Sequence, residues 1–212
     1  MQKEEKRKIL IELMKKMKAD DSLPLKAGCT NLVFGEGNVD TKVLFIGEGP
    51  GFYEDQQALP FVGRAGQLLN ELLTSIGLER KEVFITNVVH HRPPQNRDPL
   101  PEEMAAYQPY LDKIIEVIDP KVIVTLGRFS MGKFLPGVTI TRVHGKPEVV
   151  SWNGRDITIV PMYHPAAALR NGSIKEQLAK DFLVIKDVLN KVEEKEKEKD
   201  EEKKKPKQES LV

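Results

Sequence analysis

KVLFIGEGPGFYEDQQALPFVGRAGQLLNELLTSIG (residues 42–77) is the stretch that decides the fold. It opens on the apolar run 42–47, which suits a strand buried on both faces. It closes on residues 63–77, where Leu68, Leu69, Leu72 and Leu73 fall on one side of a helix that Gly77 stops. Between strand and helix lies Gly47-Glu48-Gly49-Pro50-Gly51, followed by further carboxylates and Phe61. Glycines in such a loop let the backbone approach another group closely. A carboxylate at a strand end is placed for chemistry.

The same alternation runs along the rest of the chain. A strand is predicted over EVFITNVV (82–89), and a helix over 101–118 with Pro101 at its start and acidic residues in its first turn. KVIVTLG (121–127) supplies a third strand running into a short helix, and DITIVPMYHP (156–165) a last strand, after a hairpin-like region at 141–154. Helices are also predicted over about 3–18, where Leu10, Leu13, Met14 and Met17 share a face, and from about Ile174 onward. Apolar strands alternating with helices imply an α/β fold: three αβα layers around a central, mainly parallel four-stranded sheet. One domain is expected over 1–190, with a charged tail over 191–212 that is a fraying helix or disordered.

Composition limits the function. The chain has 212 residues, 40% of them apolar and 31% charged, with a Lys and Glu bias of the kind seen in thermophiles. Cys29 is the single cysteine, so neither an internal disulfide nor a cysteine-only metal site is possible. The N-terminal segment is amphipathic rather than continuously apolar, and nothing approaches the roughly 20 apolar residues of a membrane span. A cytoplasmic protein is expected. The formal net charge is +1, and the tail's lysines and acids cancel. Any nucleic acid would therefore be met by a local basic surface rather than a bulk field.

In open parallel sheets ligands sit beyond the carboxyl ends of the strands, and the unusual residues fall there. Glu48 follows the first strand, and Asn87 ends the second before HHRPPQNR. Gly127-Arg128 follow the third, and His164 precedes PAAALR at the end of the last. One cleft could gather Glu48, Asn87 and His164. Other chemistries lack their signatures. GEGPGF lacks the third glycine of a dinucleotide fingerprint, no G-K-[ST] phosphate loop or G-x-S-x-G elbow occurs, and His90, His91, His144, His164 and Cys29 show no zinc spacing. No metal site is expected.

The blocks GEGPGFYEDQQALPFVGRAGQLL, ITNVVHHRPPQNRDPLPEE, VIVTLG and PMYHPAAALRN together resemble the uracil-DNA glycosylase superfamily, and most closely the branch called family four. The likeness covers about residues 20–190. It implies a monofunctional glycosylase that flips deoxyuridine and hydrolyses its N-glycosidic bond in base excision repair. By matched position, Glu48 would position or activate the water and His164 would support charge on the departing base. Phe61 would stack on that base, Asn87 would read its polar edge, and Gly47 and Gly49 would form the turn beneath it. Glu54 would lie where the methyl of thymine would fall. Leu169 and Arg170 would belong to a loop wedged into the duplex. Apart from the resemblance, Arg92, Arg97, Arg128 and Arg170 are candidate phosphate contacts by residue type.

The residue types suit that reaction. The bond breaks with positive charge developing on the sugar and negative charge on the pyrimidine, so a carboxylate and a buried donor each favour one partner. An amide donates and accepts at once, matching an N–H beside a carbonyl. An aromatic platform offsets the few kcal/mol that base flipping costs. Each residue also has a structural alternative: a turn cap for Glu48, core for Phe61, a turn former for Asn87, a packed histidine for His164. Asn87 resists its alternative, because an unpaired amide in an apolar run is costly. Two other functions stay open, a same-fold glycosylase for another deaminated base such as hypoxanthine and a non-catalytic DNA-binding relative.

The chain departs from family four at one place. That family holds a four-iron, four-sulfur cluster on four cysteines, and the matched positions here carry Asp20, Leu23, His91 and, near the fourth, Tyr107. One cysteine cannot hold such a cluster, so none is expected. His90 and His91 are expected to pack or to contact phosphate, and Trp152 to pack. The expected partner is DNA carrying uracil or another deaminated base, met by a monomer. The ending KQESLV (207–212) faintly resembles a sliding-clamp peptide but lacks its terminal aromatic pair.

Overall fold

The apolar runs become the inner strands of a six-stranded sheet in the computed structural model, which describes residues 1–204. β2 (Val43–Gly47), β3 (Phe84–Asn87), β4 (Val122–Leu126) and β6 (Arg155–Met162) lie parallel in the order β3-β2-β4-β6. These are the four strands expected from the sequence. Two short antiparallel edge strands complete the sheet, β1 (Glu36–Gly37) beside β3 and β5 (Glu148–Trp152) beside β6. Both evade an apolar-run reading. β1 has only two residues, and β5 is largely exposed, with Val149 68% accessible.

Side chains alternate across β2, so Leu44 and Ile46 enter one core and Val43 and Phe45 the other. The first core is covered by α1 (Lys3–Ala19) and α4 (Pro101–Ile118), through Leu10, Met17, Leu111 and Ile114. The second is covered by α3 (Arg64–Ser75) and α8 (Gly172–Lys204), through Leu69, Leu73, Phe182 and Ile185. The layers follow from strand order. The chain steps outward from β2 to β3 and then crosses back past β2 to β4, so right-handed connections put α3 and α4 on opposite faces. The reversal opens a crevice at the carboxyl ends of β2 and β4.

Short helices trim that end: α2 (Phe52–Gln57), α5 (Arg128–Gly132), α6 (Ile140–Val143) and α7 (Pro165–Ala168). The hairpin-like region resolves into α6 and then β5 and β6, joined at Asn153 and Gly154, both with positive φ, the geometry of a tight Asn-Gly turn. α8 continues through Lys204, so the boundary expected at 190/191 falls inside a helix. The ending KQESLV lies outside the described residues. No helix among the described residues is long and apolar enough to cross a membrane.

Candidate active site

A pocket of about 370 Å³ occupies the crevice, lined by Glu48, Gly49, Glu54, Phe61, Asn87, Arg97, His164 and Arg170 among others. Eight of the residues singled out in the sequence therefore meet at one place. Gly47 lies just beneath. It pairs in register with Asn87, and a Cβ on it would stand 2.4 Å from Asn87 Oδ1 and 2.6 Å from the Phe61 ring. Those distances are below any real contact, so glycine is required for Asn87 and Phe61 to face one cavity. Gly49 is constrained in the same way by Val89, whose Cγ2 would lie 2.7 Å from an added Cβ.

The backbone fixes Glu48 beside Asn87. Val88 and Val89 donate their N–H groups to the carbonyls of Gly47 (3.0 Å) and Glu48 (3.1 Å), extending the β2–β3 pairing beyond the strands. Asn87 is 1% exposed, and its Oδ1 has no hydrogen-bond partner among the described residues. A buried carbonyl left in that state costs about 1–3 kcal/mol unless a ligand supplies the donor. The Glu48 carboxyl is pushed up to about 7, chiefly by burial and secondarily by the charge of Asp98, with Arg128 opposing. A carboxyl tuned to neutrality is suited to taking a proton.

Phe61 stands at φ 51°, a conformation that side-chain-bearing residues rarely adopt. Neighbours hold it there. The Arg80 guanidinium donates to the carbonyls of Pro60 and Phe61 (3.2 Å to the latter) and to Asn70 Oδ1 (3.0 Å), while its Nε reaches Glu36 (2.7 Å). Glu54 Oε1 accepts the N–H groups of Val62 and Gly63 at 2.9 and 2.8 Å. Gly66 lets the Phe61 carbonyl pass, since a Cβ there would sit 1.7 Å from it. Strain held by so many contacts is characteristic of a site. The Glu54 carboxylate is thus engaged in holding the loop that carries Phe61.

His164 caps the start of α7. Its Nδ1 accepts the Ala166 N–H at 3.1 Å, which leaves the ring proton on Nε2. Burial, with the Arg170 charge beside it, lowers its pKa to about 4, so the imidazole is neutral at pH 7. The ring stacks on Phe61 at 5.7 Å between centroids and 30° between planes. Together these residues present a tunable carboxyl, an open amide oxygen, a neutral N–H donor and an aromatic face. That set suits hydrolysis at a sugar carbon whose leaving group is a planar heterocycle.

Of the other predicted contacts, Arg97 and Arg170 line the pocket, and Arg92, Arg128 and Leu169 do not. Arg97 lines the pocket with its guanidinium held by Glu103 at 2.6 and 2.8 Å. Arg128 pairs with Asp98, stacks on Phe129 and lines a neighbouring cavity of about 450 Å³. Leu169 is 37% exposed beside Arg170, and Arg92 stands over the Phe52 ring. Sequence reasoning passed over Arg80 and Asp98. Arg80 lies outside the strand-end blocks, and Asp98, although inside the block that follows the second strand, meets Arg128 and Glu48 only once the chain folds back on itself.

Residues 34–185 match the family model described as the uracil DNA glycosylase superfamily, and the chain belongs to that family. A type-4 uracil-DNA glycosylase of Thermotoga maritima is 48% identical over 173 residues, 81% of this chain and 87% of the relative. One from Sulfurisphaera tokodaii is 47% identical over 167 residues, 75% of each chain. One from Archaeoglobus fulgidus is 46% identical over 168 residues, 76% of this chain and 84% of the relative.

The iron–sulfur cluster implied by the likeness to family four does not fit the residues at its positions. Leu23 is buried in the core, and the Asp20 carboxylate accepts the Tyr110 hydroxyl at 2.6 Å. His91 Nδ1 and the Tyr107 hydroxyl lie 2.7 Å apart, both buried. No thiolate is present in this set. Cys29 rests against the carbonyls of Leu25 and Arg92 at 3.0 and 3.2 Å, and burial pushes its thiol pKa up, away from the ligating form. Among the described residues no group of three or more His, Cys, Asp and Glu side chains could hold a metal ion. His90 and His91 pack rather than meet phosphate, being 0% and 3% exposed. Trp152 packs against the first core with Arg155 across its ring.

Proposed function

We propose that this chain is a monofunctional uracil-DNA glycosylase, using Glu48, Asn87, Phe61 and His164 on a deoxyuridine flipped out of DNA. The observation that carries the reading is Asn87 Oδ1, buried at the pocket wall without a partner among the described residues, beside a carboxyl whose pKa stands at about 7. Uracil supplies what that amide lacks: its N3–H donates to Oδ1, and the adjacent carbonyl accepts from the amide nitrogen. Phe61 offers a face for the ring.

As the C1′–N1 bond breaks, its electron pair moves to the base. His164 Nε2–H then donates to the developing negative charge from a neutral imidazole. The Glu48 carboxylate faces the cationic sugar and takes a proton from the water whose oxygen bonds C1′. The base leaves as the uracil anion and the proton taken from water by Glu48 is returned to it through solvent, so the products are uracil and an abasic site carrying a new C1′ hydroxyl. Glu54 stands beside the base, where a methyl group would crowd the loop it holds. Arg92, Arg97, Arg128, Leu169 and Arg170 are the DNA contacts in this reading, Arg97 and Arg170 from the pocket lining itself. Arg97 and Arg128 already hold carboxylates, so phosphates would share or displace those partners. We further propose that the protein acts as a monomer on cytoplasmic DNA and without an iron–sulfur cluster, given Asp20, Leu23, His91 and Tyr107 at the cluster positions.

The test is an oligonucleotide carrying one deoxyuridine, with hypoxanthine in a parallel strand. The native protein releases uracil, and faster at pH 8 than at pH 5.5, because Glu48 must be ionised. Glu48→Gln lowers the rate by about 10²-fold or more. Release of hypoxanthine without uracil, or equal release by both proteins, refutes the assignment.

A further inference from the structure

The residues immediately before Glu54 are aromatic and turned outward. Phe52 is 50% exposed and Tyr53 is 59% exposed, and their rings meet edge to face at 5.5 Å between centroids and 81° between planes. Two adjacent large aromatic side chains in solvent are unusual for a surface that binds nothing. Both flank the pocket. Gly51 and Glu54, on either side of the pair, line it. Tyr53 reaches Gly63, where an added Cβ would touch its ring at 3.5 Å. On the other side the Arg92 guanidinium stands 5.2 Å from the Phe52 centroid, one residue before Pro93, which also lines the pocket. Aromatic faces and a cation thus form one continuous lip outside the wall that carries Glu54.

We infer that Phe52 and Tyr53, with Arg92, are a second base-binding platform, which takes an unpaired nucleobase next to the flipped uracil on the same strand. Stacked rings beside an arginine are the chemistry that holds unpaired bases without regard to sequence. In an intact duplex the neighbouring base is occupied by its own stack, so the platform engages single-stranded or locally opened DNA most fully. The cation fits a phosphodiester at the same step. This inference rests on the proposed glycosylase reading and names a substrate class within it.

The test uses a single-stranded oligonucleotide carrying 2′-fluoro-2′-deoxyuridine, whose electron-poor sugar resists cleavage, with 2-aminopurine on one side of it or the other. Native protein quenches or shifts the 2-aminopurine emission on one side. The double variant Phe52→Leu/Tyr53→Leu, which keeps apolar bulk but removes the rings, loses that signal and binds about 5- to 100-fold more weakly. On cleavable single strands its KM rises by a similar factor with kcat nearly unchanged, and the loss on duplex substrate is smaller. Circular dichroism checks that the variant is folded, and Phe52→Trp, which keeps a stacking face, retains binding.

Unchanged affinity and unchanged quenching in the folded double variant overturn the inference. Equal losses on single strands and duplex, or loss of self-association with DNA affinity intact, overturn it too. If the native protein cleaves uracil and the rings prove silent, only this inference falls. If it cleaves nothing, the glycosylase reading falls instead.

Discussion

Asn87 and His91 lie four residues apart on the segment leaving β3, and the protein treats them in opposite ways. At Asn87 the fold buries an amide oxygen without a partner among the described residues, lifts a neighbouring carboxyl to about 7 and holds Phe61 at positive φ. At His91 the chain turns inward. The ring lies against the Tyr107 hydroxyl at 2.7 Å, and the Tyr110 hydroxyl meets Asp20 at 2.6 Å. Burial lowers His91 to about 4 and His90 to about 3, so both rings are neutral inside the core. His90 keeps Nε2 near Thr86 at 3.2 Å and leaves Nδ1 without a partner among the described residues, but it lines neither of the two cavities described above. Polarity left open toward a cavity marks where a ligand completes the structure. Polarity closed on itself marks where the structure completes itself.

The sharpest way to break that comparison is to remove the open group. Asn87→Ala should lower uracil release by about 10²- to 10³-fold, the usual effect of deleting a donor or acceptor that faces a developing charge. Stability should hold or rise slightly, because the variant no longer buries an unpartnered carbonyl. Single-turnover kinetics and urea denaturation on the same preparation measure both. A variant that loses stability while keeping activity would show that Asn87 is a structural residue.

The closed side should respond the other way round. Tyr107→Phe leaves His91 Nδ1 without its partner in a buried site, which costs about 1–3 kcal/mol of folding stability. Its kcat on deoxyuridine should stay within about twofold, since neither residue lines the pocket. Denaturation midpoints and kcat decide this. A large fall in kcat with stability intact would make the His91–Tyr107 pair part of the active site and end the contrast.

The two sides were not equally legible in the sequence. The parallel strands were readable because four apolar runs have no other stable setting than a doubly covered sheet. Glu48, Asn87 and His164 were readable because the chemistry of such a sheet gathers at its strand ends. The cluster positions were readable only as a lack of cysteine. Nothing in a linear chain tells that Tyr107 will find His91, sixteen residues earlier, or that Tyr110 will find Asp20, ninety residues earlier. Arg80 was hidden for the same reason. Its task is to hold the carbonyls of Pro60 and Phe61, and that need exists only once Phe61 is forced to positive φ. β1 escaped because two residues carry no core pattern, and β5 was legible only as part of a hairpin-like region because its five residues are largely exposed.

The smallest expected effect lies in the stability of the open side. Glu48 has its folded pKa raised to about 7 from an ordinary value of 4.5, mainly by burial. The protonated form is therefore the one the fold prefers. Its contribution to stability is fully present below pH 4.5 and is lost as pH rises through 7. Glutamine cannot ionise, so Glu48→Gln should match the native protein near pH 4.5 and exceed it at pH 8. Because Glu48 is partly open to solvent, the gain is discounted to about 1 kcal/mol, a shift of a few degrees in Tm. Urea denaturation at the two pH values reads it. The same substitution that abolishes most of the activity then makes the protein more stable only where the native carboxyl is charged. Equal stabilities at pH 8 would mean that the Glu48 carboxyl is better solvated than its surroundings imply, and the pocket less strained than its neighbours Asn87 and Phe61 suggest.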